Sequence, residues 1–377
     1  MTDQVSFAEL QCSQGEFRVG VATLDNPQSL NALTLNMLVQ LKAQLEKWQD
    51  DKQIVCVVLL GSGEKAFCAG GDVRTMHQVM CEEPKAIIEE FCTRYFSVEY
   101  QTDYLIHTYK KPVIAWGDGI VMGGGMGLFM ASSHKVVTPK SRLAMPEISI
   151  GLYPDVGGTW FLNRLEPGIG LFLGLTGAVV NASDALDIHL ADHFLLAEHK
   201  DPLLESLQNY VWQCGANQHA VVTDILESLS RQFIDNMPVS QLKPFREQII
   251  SASSASDLGI IQDNIMIIEG DSHWLAAAKK TFAEGSPITA HICHRQVTQC
   301  HSLSLPDCFR QELTLSVRSA VLGEFKEGVR ARLIDKDGQP DWMYKSIDDV
   351  ERSVIDTLFT SLWTPETHPL SQLGQNI

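Results

Sequence analysis

The sequence lacks the features that mark several large classes of protein. It has no excess of basic residues, since 29 lysines and arginines stand against 46 acidic residues and the formal net charge is −17. Because nucleic-acid binding depends on cations that neutralise phosphates, we expect no nucleic-acid partner. The most apolar stretch, at residues 120–131, is interrupted by glycines and too short to cross a bilayer, so we expect no membrane partner either.

Paired cysteines and several catalytic motifs are also missing. None of the nine cysteines forms a CxxC pair, and the first ten residues lack the basic and apolar regions of a secretory signal. We therefore expect reduced thiols and a cytoplasmic location. The absence of HExxH, GxSxG and GxxxxGK[ST] argues against a zinc hydrolase, a serine hydrolase and a P-loop nucleotide site. We expect no metal and no cofactor.

The sequence does contain a succession of strands, glycine turns and helices. Residues 5–24 predict a β-hairpin, and residues 54–63 predict a buried strand that leads into a glycine turn. Residues 112–132 repeat the order of apolar strand, glycine-rich turn and small-residue helix. This pattern indicates an α/β fold of stacked turns. Amphipathic helical patterns then dominate, so we predict a core at 1–200 and a helical region at 201–377 that packs on it.

Two carboxylates stand out in the nearly uncharged stretch Ser141–Leu165. Glu147 and Asp155 each follow a proline, and a pair of glycines comes soon after the second acid. An acid in apolar surroundings loses hydration, which raises its pKa and suits it to proton transfer or nucleophilic attack. In the alternative interpretation, the stretch is an ordinary loop whose acids are solvated or cap a helix.

Two glycine turns provide a second candidate feature. Gly71 in CAGGD and Gly124 in MGGGM each stand where a strand leads into a helix. Two backbone N–H groups that converge on one carbonyl oxygen form an oxyanion hole, and the following helices add the positive ends of their dipoles. Alternatively, the glycines serve only tight turns and close helix packing.

The chain resembles the crotonase, or enoyl-CoA hydratase/isomerase, superfamily in four segments that follow one another in the family's order. They are LNALTLNM at 30–37, KAFCAGGD at 65–72, KPVIAWGDGIVMGGGMGL at 111–128 and AMPEISIGLYPDVGG at 144–158. The resemblance covers about residues 5 to 200 and is closest to the subgroup that hydrolyses short 3-hydroxyacyl-CoA thioesters. It implies a crotonase-like (ClpP/crotonase) spiral of stacked strand–turn–helix units with a C-terminal helical region.

The resemblance also implies roles for the candidate catalytic residues. Gly71 and Gly124 correspond to the backbone donors to the thioester oxygen, and Glu147 and Asp155 correspond to the acids of the acyl site. Hydratases of the family have a glutamate at the position of Gly127 and usually no acid at that of Asp155. This exchange implies hydrolysis of the thioester rather than hydration of a double bond.

Binding residues and partners follow from the same resemblance. Glu99 corresponds to a further acid of the acyl pocket, while Asn31, Ala32, Leu33 and Ala69 lie where the family wraps the adenine end of coenzyme A. The expected partner is an acyl-CoA substrate, so coenzyme A arrives as part of the substrate. Members of the superfamily commonly form trimers, which implies a homo-oligomer, although the long helical region could cover the surface that such an assembly uses.

Three functions stay open at this point. The first is hydrolysis of a short branched 3-hydroxyacyl-CoA, as in valine breakdown. The second is hydration or isomerisation of an enoyl-CoA, and the third is acyl-CoA binding without catalysis. For hydrolysis, Glu147 either attacks the carbonyl to form an anhydride or activates water, and Asp155 either orients the 3-hydroxyl group or assists proton transfer to the leaving thiolate.

Overall fold

The computed structural model describes residues 4–230 and 236–375, and the chain forms two compact units. Each unit gathers three separate segments. The first unit comprises Met1–Gly71, Thr102–Leu143 and Val180–Ser240; the second comprises Asp72–Gln101, Ala144–Val179 and Gln241–Ile377. The predicted boundary at residue 200 therefore falls inside a segment of the first unit. The two helices that follow this boundary pack on the sheet of that unit, as described below.

The strands lie in the first unit, apart from the last residue of β8. Their bounds are β1 Gln4–Gln11, β2 Arg18–Asp25, β3 Ile54–Gly61, β4 Ala66–Cys68, β5 Val113–Gly117, β6 Ile120–Met122, β7 His134–Val137, β8 Arg142–Ala144 and β9 His193–Phe194.

A six-stranded sheet with the order β1-β2-β3-β5-β7-β9 forms the centre of the first unit. The predicted hairpin is the antiparallel pair β1–β2, and the remaining neighbours run parallel. Strand β3 is buried over its whole length except Gly61, which explains its unbroken run of apolar residues. A second sheet, β4-β6-β8, places β4 and β6 side by side and parallel.

The helices have the following bounds: α1 Leu35–Asp50, α2 Val73–Glu82, α3 Lys85–His107, α4 Gly124–Ala131, α5 Gly158–Leu162, α6 Ile169–Thr176, α7 Ala182–Asp187, α8 Lys200–Asn209, α9 Gln218–Ser230, α10 Arg246–Ala252, α11 Leu258–Met266, α12 His273–Glu284, α13 Pro287–Gln299, α14 Leu305–Leu322, α15 Glu324–Val329 and α16 Arg352–Leu358. None of the helices within the described residues is both long enough and apolar enough to traverse a membrane.

Several helices, among them α1 and α13, start where a local side chain satisfies a free N–H group. Thr34 accepts a hydrogen bond from the Met37 amide at the start of α1, and Ser286 accepts one from Thr289 at the start of α13. Proline at the first position of α13 fixes a helical φ angle and has no N–H to satisfy. The residues that mark the start of these two helices therefore lie within the first turn or directly before it.

The core of the first unit explains why α8 and α9 belong to it. Leu203 and Leu207 of α8 and Val222 of α9 are buried in one cluster with Val19 of β2 and Val58 of β3. Burial of an aliphatic side chain of this size contributes about 1.5–3 kcal/mol. Residues 200–230 thus cover the sheet, while the regular elements of the second unit are helices, apart from Ala144 at the end of β8, in the part of the chain that the structure describes.

Candidate active site

The two predicted glycine turns lie next to each other in the first unit. Each turn follows one strand of the parallel pair β4–β6, and the carboxyl ends of parallel strands meet at one edge of a sheet. A Cβ added to Gly125 would lie 2.3 Å from the Cys68 carbonyl oxygen, and one added to Gly70 would lie 4.0 Å from the Gly124 nitrogen. Only glycine allows the backbones to approach this closely at Gly125.

The amides of Gly71 and Gly124 remain available to a ligand. Gly70 has a φ of +121° and Gly123 a φ of +50°, so a left-handed residue precedes each of the two amides. Gly124 is also the first residue of α4, where N–H groups have no partner within the helix. Among the described residues, neither amide donates a hydrogen bond to another protein group. This arrangement is chemically suited to an oxyanion hole.

The segment predicted to bind the adenine end is attached to the first of these turns. The Leu33 amide donates to the Gly70 carbonyl at 2.8 Å, and the Ala69 amide donates to the Leu30 carbonyl at 3.0 Å. Leu30 and Asn31 both have positive φ angles, 54° and 58°. The structure therefore brings Asn31, Leu33 and Ala69 together with Gly71.

The Asn31 side chain has a structural task in this arrangement. It is fully buried, its Nδ2 donates to the carbonyls of Ser62 and Ala66 at 2.9 Å each, and its Oδ1 accepts from the Asn26 amide. These bonds use the polar atoms of the side chain to hold the left-handed turn. Ala32 is partly exposed and Leu33 is buried.

In the second unit, Glu147 begins a short 3-10 turn that the C-terminal helices hold from several sides. The turn spans Glu147–Ile150 and ends at Gly151, whose φ is 68°. A Cβ on Gly151 would lie 2.3 Å from the Glu324 carbonyl oxygen, and one on Gly328 would lie 2.2 Å from the Ile150 carbonyl carbon. Helix α15 therefore contacts this turn directly through its backbone.

Asp155 lies in a loop with unusual backbone angles. Val156 has a φ of 49° and Gly157 a φ of 87°. A β-branched residue with positive φ is a true outlier, and such strain tends to occur at functional sites. Asp155 does not cap α5, as the alternative interpretation would have it. The residue before α5 is Gly157, and no side chain caps this helix.

Glu147 and Asp155 lie together and are buried. Their exposed fractions are 4% and 3%. Burial raises the pKa of Glu147 well above its usual range, and the neighbouring Asp155 charge raises this pKa further. Burial also raises the pKa of Asp155, to about 7. One Glu147 carboxyl oxygen, Oε2, is buried without a hydrogen-bond partner in the described residues, so this side chain has acceptor capacity for a substrate or water.

Like charge and burial together favour one shared proton on this pair near neutral pH. Because the titration belongs to the pair, the proton can lie on either carboxyl group, which leaves one ionised carboxylate and one carboxylic acid. Thioester cleavage requires both forms, since one group must attack the carbonyl or activate water while another supplies a proton.

A buried network of hydroxyl groups fixes Asp155 from one side. The Tyr100 hydroxyl donates to Asp155 Oδ2 at 2.8 Å and contacts the Ser316 Oγ at 2.7 Å. Ser316 Oγ also lies 2.7 Å from the Tyr153 hydroxyl. Glu99 precedes Tyr100 on α3, is 3% exposed, and its charge contributes to the raised pKa of the Tyr100 hydroxyl.

Helix α14 supplies a further acid that the sequence analysis missed. Glu312 is fully buried, and its carboxylate accepts hydrogen bonds from the amides of Gly157 and Thr159 at 2.8 and 2.9 Å. Burial raises the pKa of Glu312 to about 8, and the hydrogen bonds from these two residues act in the opposite direction. A signal was available in the sequence, because Glu312 and Ser316 stand four residues apart on the apolar stripe of α14.

Metal binding gains no support from the described residues. In residues 4–230 and 236–375, no group of three histidine, cysteine or acidic side chains has an arrangement that could hold a metal ion. The prediction of no separate cofactor stays a prediction.

Comparisons with known proteins give matches over nearly the whole chain. A family model described as enoyl-CoA hydratase/isomerase matches residues 19–359. Proteins named 3-hydroxyisobutyryl-CoA hydrolase, mitochondrial, are similar in sequence: the Danio rerio protein is 36% identical over 92% of this chain and 88% of its own length. The Homo sapiens protein of the same name is 36% identical over 91% of this chain and 86% of its own length.

Solved structures match the fold. An enoyl-CoA hydratase from Rhodobacter sphaeroides 2.4.1 is 28% identical with a TM-score of 0.80, and the match covers 94% of this chain and 97% of that chain. A carnitinyl-CoA dehydratase from Mycobacterium thermoresistibile is 29% identical with a TM-score of 0.81, over 95% and 96% of the two chains. The matches include the helical C-terminal region, and they confirm the predicted α/β fold class.

Proposed function

The chain belongs to the enoyl-CoA hydratase/isomerase family, the crotonase superfamily of the sequence analysis, and we propose that it hydrolyses 3-hydroxyisobutyryl-CoA to 3-hydroxyisobutyrate and coenzyme A. The relatives at 36% identity carry the name of this activity. The observation that carries the proposal is the buried Glu147–Asp155 pair, because two coupled carboxyl groups supply the base or nucleophile and the acid that hydrolysis needs.

The proposed reaction assigns one task to each group. The amides of Gly71 and Gly124 donate to the thioester oxygen and stabilise the negative charge that develops there. Glu147 attacks the carbonyl carbon or takes a proton from the attacking water, and the C–S bond breaks. Asp155 supplies the proton to the departing thiolate or binds the 3-hydroxyl group of the substrate. If an anhydride forms on Glu147, water hydrolyses it and restores the carboxylate.

Hydration of an enoyl-CoA is the alternative function. The match to a solved enoyl-CoA hydratase favours it. Gly127 opposes it, because glycine cannot handle a proton at the position that the family resemblance assigns to a glutamate of hydratases. Loss of the conjugated absorbance of crotonyl-CoA without a matching release of thiol would support hydration. We expect every loss of absorbance to be matched by released thiol.

The central test measures thiol release from a panel of acyl-CoA thioesters. We expect the highest kcat/KM for 3-hydroxyisobutyryl-CoA and lower values for isobutyryl-CoA and crotonyl-CoA. The Glu147→Gln variant should lose thiol release while calorimetry still detects acyl-CoA binding. A fully active Glu147→Gln enzyme would remove the proposed role of this residue, and a wild-type enzyme that releases no thiol from any member of the panel would refute the function.

A single turnover in ¹⁸O-labelled water distinguishes the two routes for Glu147. In the anhydride route, water attacks the acyl-enzyme intermediate, so either product or the Glu147 carboxylate gains the label. In the general-base route, only the 3-hydroxy acid is labelled. Label in the peptide that contains Glu147, detected by mass spectrometry, therefore establishes the anhydride route, whereas label in the product alone fits both routes.

Compartment and assembly are part of the proposal. We propose a reducing compartment, specifically the cytoplasm, and the nine free cysteines of the structure support the reducing environment. The relatives named above carry the word mitochondrial in their names, so cell fractionation with organelle markers is the deciding measurement. We also propose a homo-oligomer, which sedimentation of the purified chain tests.

A further inference from the structure

The loop that carries Asp155 has a conformation that requires external support. Val156 has a φ of 49°, in a region where branched side chains are rarely found, and Gly157 follows with a φ of 87°. Strain of this kind costs about 1–3 kcal/mol for each residue and persists only when neighbouring groups hold the backbone in place. The structure therefore contains groups that fix the peptides after Asp155.

Glu312 is the group that makes this contact. Its Oε2 accepts from the Gly157 amide and its Oε1 from the Thr159 amide, so both carboxylate oxygens bind the backbone of the same loop. Gln296 adds bonds from its Nε2 to the Pro154 carbonyl and the Thr159 hydroxyl. The loop is thus held on both sides of Asp155.

Packing alone does not explain an acid at this position. Glu312 is fully buried, and desolvation of a carboxylate costs more than burial of an aliphatic side chain of similar volume. What the carboxylate offers is two acceptor oxygens for two neighbouring N–H groups, which no apolar side chain can provide.

The same face of α14 also reaches the Asp155 side chain. Ser316, one helical turn after Glu312, contacts the hydroxyl groups of both Tyr100 and Tyr153, and Tyr100 donates to Asp155 Oδ2. One face of α14 therefore makes both contacts. Glu312 binds the backbone of the loop, and Ser316 reaches the Asp155 carboxylate through the Tyr100 hydroxyl.

We propose that Glu312 is a positioning residue, which holds the turn after Asp155 in the strained conformation that aims this carboxylate at the substrate, with Ser316 as its partner on α14. The role rests on the proposed function, because positioning matters for a reaction in which Asp155 takes part. Glu312 itself need not touch the substrate.

The test compares Glu312→Gln with wild type in thiol release and in amide hydrogen exchange. The amide side chain keeps one acceptor oxygen and turns an NH₂ group towards one of the two backbone donors. Well below the melting temperature, we expect kcat to fall about 10- to 100-fold, because one buried backbone donor of the loop loses its acceptor, while KM stays within about twofold. The amides of Gly157 and Thr159 should exchange faster in the variant.

A matched control separates positioning from general stability. Val317 also lies on α14 and is buried, and it lines a cavity with Val321 and Leu358. Neither Asp155 nor Glu312 lines that cavity. Val317→Ala should lower the melting temperature yet leave kcat within about twofold of wild type. If Glu312→Gln behaves like this control, Glu312 has only a structural role and the proposal is overturned.

Ser316→Ala keeps the proposal testable if Glu312→Gln does not fold. This variant removes the contact to Tyr100, so we expect a loss in kcat of about 3- to 10-fold and a shifted pH profile. Wild-type kcat and profile in Ser316→Ala would overturn the proposal. If the wild-type enzyme releases no thiol at all, the proposed function fails. Hydrogen exchange still tests the positioning contact in that case. If the Gly157 and Thr159 amides exchange at the same rate in Glu312→Gln as in wild type, the positioning contact is overturned as well.

Discussion

Replacement of Tyr100 by phenylalanine tests the chemistry of the acid pair most directly. The Tyr100 hydroxyl donates to Asp155 Oδ2 at 2.8 Å within the protein interior, and this bond lowers the pKa of Asp155 against the effect of burial. Tyr100→Phe removes the donor and keeps the ring, so little volume is lost. The pKa of Asp155 should therefore rise.

The magnitude follows from the strength of the bond. A buried hydrogen bond to a charged group contributes about 1.5–3 kcal/mol, and one pKa unit corresponds to about 1.4 kcal/mol. The pKa of Asp155, about 7 in the wild-type chain, should thus rise by about one to two units. At pH 7 the ionised fraction of Asp155 would then fall from about one half to about 1–10%.

The assay is the pH dependence of kcat/KM for thiol release, with the uncatalysed rate subtracted. If turnover needs ionised Asp155, the acid limb of the Tyr100→Phe profile moves up by one to two units, and activity recovers at alkaline pH. If Asp155 acts as the acid, the alkaline limb moves up instead. Because the two carboxyl groups titrate together, the limb reports an apparent pKa of the pair.

A matched control guards against a general effect of tyrosine deletion. Tyr109 is also buried, and its hydroxyl donates to the Leu45 carbonyl within the first unit at 2.6 Å, not to either acid. Tyr109→Phe should lose stability but keep the wild-type pH profile. Coincident profiles for Tyr100→Phe and wild type, or an equal shift in Tyr109→Phe, would refute the reasoning.

Three further predictions concern the turns and the buried titratable groups. Gly125→Ala should lower kcat about 100- to 1,000-fold in the thiol assay, because its Cβ would lie 2.3 Å from the Cys68 carbonyl oxygen and displace the glycine turns proposed to form the oxyanion hole. Wild-type kcat in this variant would contradict the prediction. Glu312 takes up a proton on folding, since its pKa rises to about 8. The free energy of unfolding should therefore fall by up to about 1.4 kcal/mol per pH unit as the pH rises from about 4.5 to 8. Urea titrations of Glu312→Gln should lack this pH dependence. Burial and the neighbouring His193 lower the pKa of His134 to about 4. The free energy of unfolding should therefore fall as the pH drops from about 6.5 to 4. A His134→Asn variant that shows the same fall would contradict this prediction.

Much of the fold could be predicted because its signals are local. The strand at 54–63 appeared as β3, Ile54–Gly61. The strand and helix predicted within 112–132 appeared as β5 and α4, with the additional short strand β6 between them. An apolar run, a glycine turn and a capping residue each act over a few neighbouring residues, so the sequence shows them directly. The family assignment rested on the same segments and is confirmed by the match to residues 19–359.

The candidate site was predictable only in part. Glu147 and Asp155 were recognisable because they are isolated acids in an apolar stretch, and the structure brings them together; their catalytic roles stay predictions. Glu312 was missed, since its contact with Gly157 joins residues that are 155 positions apart in the sequence. The Tyr100–Ser316 contact spans 216 positions.

The sequence by itself determined the main strand, turn and helix signals and the apolar surroundings of Glu147 and Asp155, because these properties depend on neighbouring residues. Tertiary structure decided how three separate segments combine into each compact unit and which distant side chains surround a buried acid. It therefore also decided the pKa of Asp155, since a pKa in the protein interior is set by the groups that the fold places within hydrogen-bond distance and by the water that it excludes.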